Sequence, residues 1–97
     1  MVRLLSITES DRPGKKLKAV FLQDNGRTKT THFGAKGMDD YTITHNREQR
    51  ERYIKRHSKD LRTNDPTRAG FLSMHILWGA TTSIEANTHL YKKKYDL

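Results

Sequence analysis

The segment Ala69 to Trp78, AGFLSMHILW, is apolar on nearly every side when wound as a helix, and that confines the fold more than any other stretch of the chain. Ala69, Phe71, Leu72, Met74, Ile76, Leu77 and Trp78 leave only a narrow polar strip at Arg68 and His75, so this helix must be enclosed by the rest of the protein. Its expected punctuation is Asp65 as N-cap, Pro66 in the first turn and Gly79 just past the end. Gly70 and Ser73 leave room for a neighbouring element to approach, and Trp78 is expected to pack in the core.

The chain has 97 residues, enough for one domain built around one modest core and no more. The covering elements can be read on either side of the central helix. Val2 to Ile7 reads as a short strand, and Glu9 to Gly14 as a polar turn. Leu17 to Gln23 alternates in the manner of a half-buried strand. Asp24-Asn25-Gly26 forms a tight turn, and Thr28 to Phe33 returns antiparallel. Gly34-Ala35-Lys36-Gly37 reads as a turn, because it lacks the spacing and the Lys-Ser/Thr ending of a phosphate loop. Tyr41 to Ile43 reads as extended. Asn46 and Gln49 form a capping-box pattern that opens a helix running to Arg62, and Thr82 and Glu85 form another that opens a last helix from Ser83 to about Tyr95. In that last helix Ile84, Thr88, Tyr91 and Tyr95 share the inward face. The expectation is an α+β fold, a small N-terminal antiparallel sheet of two or three strands over residues 1–43 followed by three helices over residues 46–95.

Charge sets the class of partner. The formal net charge is +8 and the pI is near 10.0, a field that suits nucleic acid, anionic surfaces or acidic proteins better than neutral small substrates. On a helical projection of residues 46–62, Arg52, Lys55, Arg56, Lys59 and Arg62 occupy one face, with Tyr53, Ile54, His57 and Leu61 opposite. Glu48 and Glu51 each stand four residues before a cation, Arg52 and Lys55 respectively, and are expected to neutralise them in part. That leaves Arg56, Lys59 and Arg62 as the freest charges. Lys92, Lys93 and Lys94 complement the negative end of the last helix and offer a second cationic contact, with Lys15, Lys16 and Arg27 as further candidates. Arg50 falls among the apolar residues and needs a partner, for which Asp39, Asp40 or Asp65 are the expected acids.

Other chemistries find less support. The absence of cysteine removes disulfides, thiolate metal sites and cysteine catalysis, and it suits an intracellular or intravirion setting. His32, His45, His57, His75 and His89 are not spaced as helical ligand pairs, and Asp39-Asp40 has no companion motif of a two-metal nuclease. No metal, cofactor or catalytic residue is expected. The N-terminal residues carry too little apolar content for a signal peptide or membrane span, so neither membrane insertion nor signal-directed secretion is expected.

The stretches FGAKGMDDYTI, RERYIKRH and NDPTRAGFLSMHILWG, with the closing Tyr-Lys-Lys-Lys-Tyr, resemble a small uncharacterised family encoded by large double-stranded DNA viruses of algae and protists. The likeness covers roughly Phe33 to Tyr95. Gly34, Gly37, Asp40, Tyr41 and Thr42 match its first motif, and Arg50, Arg52, Tyr53, Arg56 and His57 its second. Asp65, Pro66, Ala69, Gly70, Leu72, Ser73, Ile76, Leu77 and Trp78 match its third, and Met74-His75 departs from it. The resemblance implies a virion or host-cell setting and no particular reaction.

Three functions compete on these grounds. The first is a non-enzymatic basic virion or packaging protein that contacts nucleic acid, DNA before RNA, through phosphates and without sequence specificity. Arg52, Lys55, Arg56, Lys59, Arg62, Lys92, Lys93 and Lys94 would carry those contacts, while Arg50, Asp40, Tyr41, Tyr53, Asp65 and Trp78 serve the structure. The second is a minor capsid or scaffold protein whose cations meet an acidic capsid surface. The third, more remote, is a small enzyme or modulator that uses the glycine-bearing loop and the histidines.

Overall fold

The computed structural model describes residues 2–97 and has the expected α+β architecture. Strands β1 (Arg3–Glu9), β2 (Lys15–Leu22) and β3 (Thr28–Ala35) form an antiparallel sheet in the order β1-β2-β3. Helices follow: α1 (Tyr41–Thr44), α2 (Arg47–His57), a 3-10 turn (Ser58–Thr63), α3 (Ala69–Leu72) continuing as a π-helical segment (Ser73–Leu77), and α4 (Ile84–Lys94). The sheet is a meander because both connections are short, and Gly26, at φ 82°, closes the second of them. Leu17 pairs with Phe33, Ala19 with Thr31 and Phe21 with Lys29, so these side chains share one face. On that face Ala19, Phe21 and Phe33 are fully buried. A register shift between Leu4 and Ser6 marks a bulge; Leu4 is buried and Leu5 exposed.

The central segment is buried as its composition demands. Phe71, Leu72, Met74, Ile76, Leu77 and Trp78 all lie in the interior, between the sheet and α4. Its shape differs from the expected single α-helix over 65–79. Asp65 does not cap it. The Asp65 carboxylate accepts hydrogen bonds from the Thr67 backbone N–H and hydroxyl, forming a turn of its own, and the helical N-cap is Arg68. That turn joins the sheet, because the Thr31 hydroxyl donates to the Thr67 carbonyl and Lys29 Nζ to the Thr67 hydroxyl. At the other end the Trp78 N–H reaches back five residues to the Ser73 carbonyl, at 3.1 Å, so the last turn is π rather than α. The wider turn brings Gly79 hard against its neighbours: a Cβ there would lie 2.2 Å from the His75 carbonyl oxygen and 2.8 Å from Asn87 Cγ.

Three further expectations need correction. Tyr41 to Ile43 is a helical turn, not extended, because Asp40 caps it by accepting from the Thr42 N–H at 2.8 Å. The helix from Asn46 ends at His57, and residues 58–63 continue as a tighter 3-10 turn. The last helix is capped by Ser83, whose hydroxyl accepts from the Ala86 N–H, and not by a Thr82–Glu85 box. The expectation for Gly70 holds, since a Cβ there would come within 3.0 Å of the Asp60 side chain of the 3-10 turn.

Two buried polar groups tie the layers together. Asp40, 2% exposed, pairs through Oδ2 with Lys16 Nζ at 2.6 Å and through Oδ1 with Thr42, so one carboxylate fixes α1 to β2. Asn87, 1% exposed, uses its whole amide: Oδ1 accepts from the Thr81 N–H and hydroxyl, and Nδ2 donates to the Ile76 and Thr81 carbonyls. Removing one member of a buried ion pair leaves the other uncompensated. Asp40→Asn retains an oxygen for the cap but strands the Lys16 ammonium, and is expected to cost about 3 kcal/mol in urea unfolding. Adding Lys16→Met to that variant is expected to recover more than half of the loss.

Candidate nucleic-acid interface

The basic helix α2 begins at Asn46, whose side chain accepts from the Gln49 N–H at 3.1 Å. The reciprocal half of the expected box goes elsewhere, because Gln49 Oε1 accepts from the Thr44 hydroxyl, which in turn accepts from the Asn46 N–H. No residue of α2 is fully buried. The helix rests on the core through the half-buried Arg50, Tyr53, Ile54 and His57 rather than entering it. Tyr53 stacks on Trp78 with ring centroids 4.2 Å apart and on His57 at 4.1 Å, a three-ring column running from the core to the surface.

Arg50 anchors the helix, though not through an acid. Its single Nε–H is shared between the backbone carbonyls of Trp78, at 3.1 Å, and Gly79, at 2.8 Å. These carbonyls end the π turn and have no helical partner of their own, so a cation there satisfies both hydrogen bonding and the helix dipole. The guanidinium carbon also sits 5.6 Å from the centre of the Tyr41 ring. The acids expected to pair with Arg50 are engaged or elsewhere: Asp40 holds Lys16, Asp65 holds Thr67 and Arg68, and Asp39 is exposed.

With Arg50 facing in, the opposite side of α2 faces out. Arg52, Lys55, Arg56, Lys59 and Arg62 are all exposed. Among the described residues the ion pairs are Lys16–Asp40, Lys18–Asp11, His57–Asp60 and Arg68–Asp65. Neither Glu48–Arg52 nor Glu51–Lys55 forms, which corrects the expectation that these two cations are partly neutralised. Lys59 and Arg62 lie in the 3-10 turn, where residues three apart eclipse, so they share an edge that departs from the 100° projection of the helix before them.

Other cations are divided among three places. Lys15 and Lys16 meet Arg56 at a recess of about 400 Å³ between the open end of the β2–β3 hairpin and α2, where Tyr53 and His57 also reach the wall. This puts aromatic rings beside cations, an arrangement the linear sequence conceals. Arg27 lies at the far end of the hairpin, roughly 25 Å away along an eight-residue strand, and does not join them. Lys92, Lys93 and Lys94 are exposed on the last turn of α4, with Lys94 Nζ 5.5 Å over the Tyr95 ring. The glycine-bearing loop is a plain turn, with the Met38 N–H bonded to the Ala35 carbonyl and Gly37 at φ 85°.

The histidines are scattered. His32 bonds Ser10, His57 faces Asp60 at 3.3 Å, and His45 and His89 are exposed. Only His57 and Asp39 of the catalytic candidates share the recess. Among the described residues no group of three or more His, Asp or Glu side chains is placed to hold a metal ion. No helix there is long and apolar enough to cross a membrane.

A family model described as a family of unknown function (DUF5754) matches residues 5–57, more than half of the chain, from β1 to the end of α2. The chain belongs to this family. No curated protein and no solved structure matches it. The matched segment holds the sheet, the Lys16–Asp40 pair, Arg50 and the first three cations of the basic face, whereas Lys59, Arg62 and the α4 lysines lie beyond it.

His75 is part of the support rather than of the basic face. Its Nδ1 lies 2.9 Å from the Phe71 carbonyl oxygen, which can only accept, so Nδ1 carries the hydrogen and Nε2 accepts from the Tyr95 hydroxyl at 3.1 Å. Burial, aided by the nearby Lys94 charge and opposed by the Phe71 bond, holds its pKa below the usual 6.5. The folded chain therefore binds this proton more weakly than the unfolded chain. The stabilisation is complete above pH 6.5 and is lost as pH falls from there through the lower folded value. The stability advantage of wild type over His75→Asn, measured by thermal unfolding, is expected to be constant above pH 7 and to shrink on acidification. An advantage that stays constant down to pH 5 would show that His75 does not titrate this way.

Proposed function

We propose that this protein is a non-enzymatic basic protein that binds nucleic acid through phosphates without reading sequence. The observation that carries the reading is the outward side of α2 and its 3-10 extension: five exposed cations with no ion pair to an acid among the described residues. Like charges three and four residues apart on a helix destabilise it by a few tenths of a kcal/mol per pair. A polyanion laid along that face relieves the repulsion and releases its own condensed counterions, which is the physical basis of non-specific nucleic-acid binding. The recess where Arg56 meets Lys15 extends the same face towards the sheet. Neither element offers a groove-reading motif, so the contacts are with phosphate rather than with base edges. The resemblance to proteins of large DNA viruses supports reading such binding as that of a virion or packaging protein. Lys92, Lys93 and Lys94 would then serve as a second, separate phosphate contact.

Binding to generic duplex DNA tests this directly. The logarithm of the association constant is expected to fall linearly with the logarithm of salt concentration, with a slope of roughly −4 if most of the five cations reach phosphates. A variant with Arg56, Lys59 and Arg62 all changed to Glu should keep its circular-dichroism spectrum, since all three are exposed, and lose at least about tenfold in affinity with a much shallower slope. Affinity that does not change between low and moderate salt, or a triple variant that binds as wild type does, would overturn the reading.

A further inference from the structure

On the inner side of α2, away from the outward cations, lies a half-open groove of about 290 Å³. Ile54 and Leu61 form one bank and Leu90, an exposed leucine of α4, forms part of the other. Met74 and Trp78, from the π segment and its end, make the floor. The volume is close to the lower end of the range of roughly 300–1,000 Å³ typical of small-molecule sites. The charge around it is one-sided: Arg50 and Lys94 both line the groove, and no Asp or Glu does.

The state of Arg50 decides what this groove suits. Two backbone carbonyls and the Tyr41 ring fix its guanidinium, yet those bonds use only Nε–H. Its terminal nitrogens make no hydrogen bond to the described residues. A guanidinium so held presents its remaining donors without further loss of side-chain freedom, in the geometry that meets a carboxylate. Pi-helical turns like the one flooring the groove recur at functional sites.

We propose that the groove binds a small amphiphilic carboxylate, its apolar body over Met74 and Trp78 and its anionic head on the free donors of Arg50, with Lys94 adding to the positive field of the groove. A cationic molecule of the same shape would meet two like charges, and a neutral one would leave the free Arg50 donors without an anionic acceptor, so the site selects for the sign of the head group. The apolar banks contribute little to a highly hydrated anion such as phosphate, which excludes the simplest inorganic ligands.

Trp78 is the sole tryptophan of the chain and lines the site, so its fluorescence reports occupancy in the intact protein. Titration with octanoate, kept below its micelle range, should give a saturable change, and octylamine should bind at least about tenfold more weakly. Lys94→Glu, an exposed substitution, should weaken octanoate about tenfold or more. Leu90→Asp should do the same by placing a carboxylate on the apolar bank. The Arg56/Lys59/Arg62→Glu variant should keep octanoate affinity within about twofold, because those side chains do not line the groove. This separates failure at the groove from failure of the nucleic-acid reading. No saturation, equal binding of octanoate and octylamine, or wild-type affinity in both Lys94→Glu and Leu90→Asp would overturn the proposal.

Discussion

One hydrogen set governs how the two halves of this protein meet: the Nε–H of Arg50 shared between the carbonyls of Trp78 and Gly79. A π turn leaves carbonyls at its end that nothing in the helix satisfies, and Gly79 is pressed so close to the His75 carbonyl that no side chain fits there to cap them. Arg50 fills that role from another helix. Because it comes from the first turn of α2, the bond fixes the rotation of α2 about its own axis. Tyr53, three residues on, then lies flat against Trp78, and the next cations along the helix point away from the core. The basic face is therefore a consequence of how the core closes.

The same bond accounts for two surfaces of different chemistry on one helix. Outward, cations without acidic partners make a surface suited to a polymer of phosphates, where affinity comes from counterion release and depends steeply on salt. Inward, the Arg50 guanidinium, with Lys94, beside apolar side chains makes a groove suited to a small amphiphilic anion, where partial exclusion of water strengthens each contact. The Lys16–Asp40 pair stands apart from both. It is spent on joining α1 to the sheet, and this is why a lysine in a strand next to the recess adds little free charge to it.

Much of this architecture follows from local signals. Alternation in Leu17 to Phe21 with Asn25-Gly26 was enough to place the hairpin, and the all-round apolar character of Phe71 to Trp78 was enough to place the core. The failures share a cause. Asp65 next to Pro66 has the form of an N-cap, but the adjacent Thr67 offers its carboxylate two donors, and that turn wins. The partners of Arg50 are main-chain carbonyls, which every residue carries and no residue type advertises. The π turn brings Gly79 against Asn87, eight residues further along, a contact no local pattern announces, and the full satisfaction of the Asn87 amide is likewise invisible in its neighbours. The spacing of Glu48 and Glu51 permits ion pairs that do not form, as is common for exposed pairs worth little in water.

The central claim is that closure of the core through Arg50 turns the other side of α2 into an outward cationic face, the surface proposed to meet nucleic acid. Amide and side-chain chemical shifts recorded while a short generic DNA duplex is added test it most directly. The account predicts shifts concentrated at Arg52, Lys55, Arg56, Lys59 and Arg62, with the Arg50 Nε–H resonance unmoved. Shifts confined to the open face of the sheet, at residues such as Lys18, Thr30 and His32, with α2 unaffected, would contradict it.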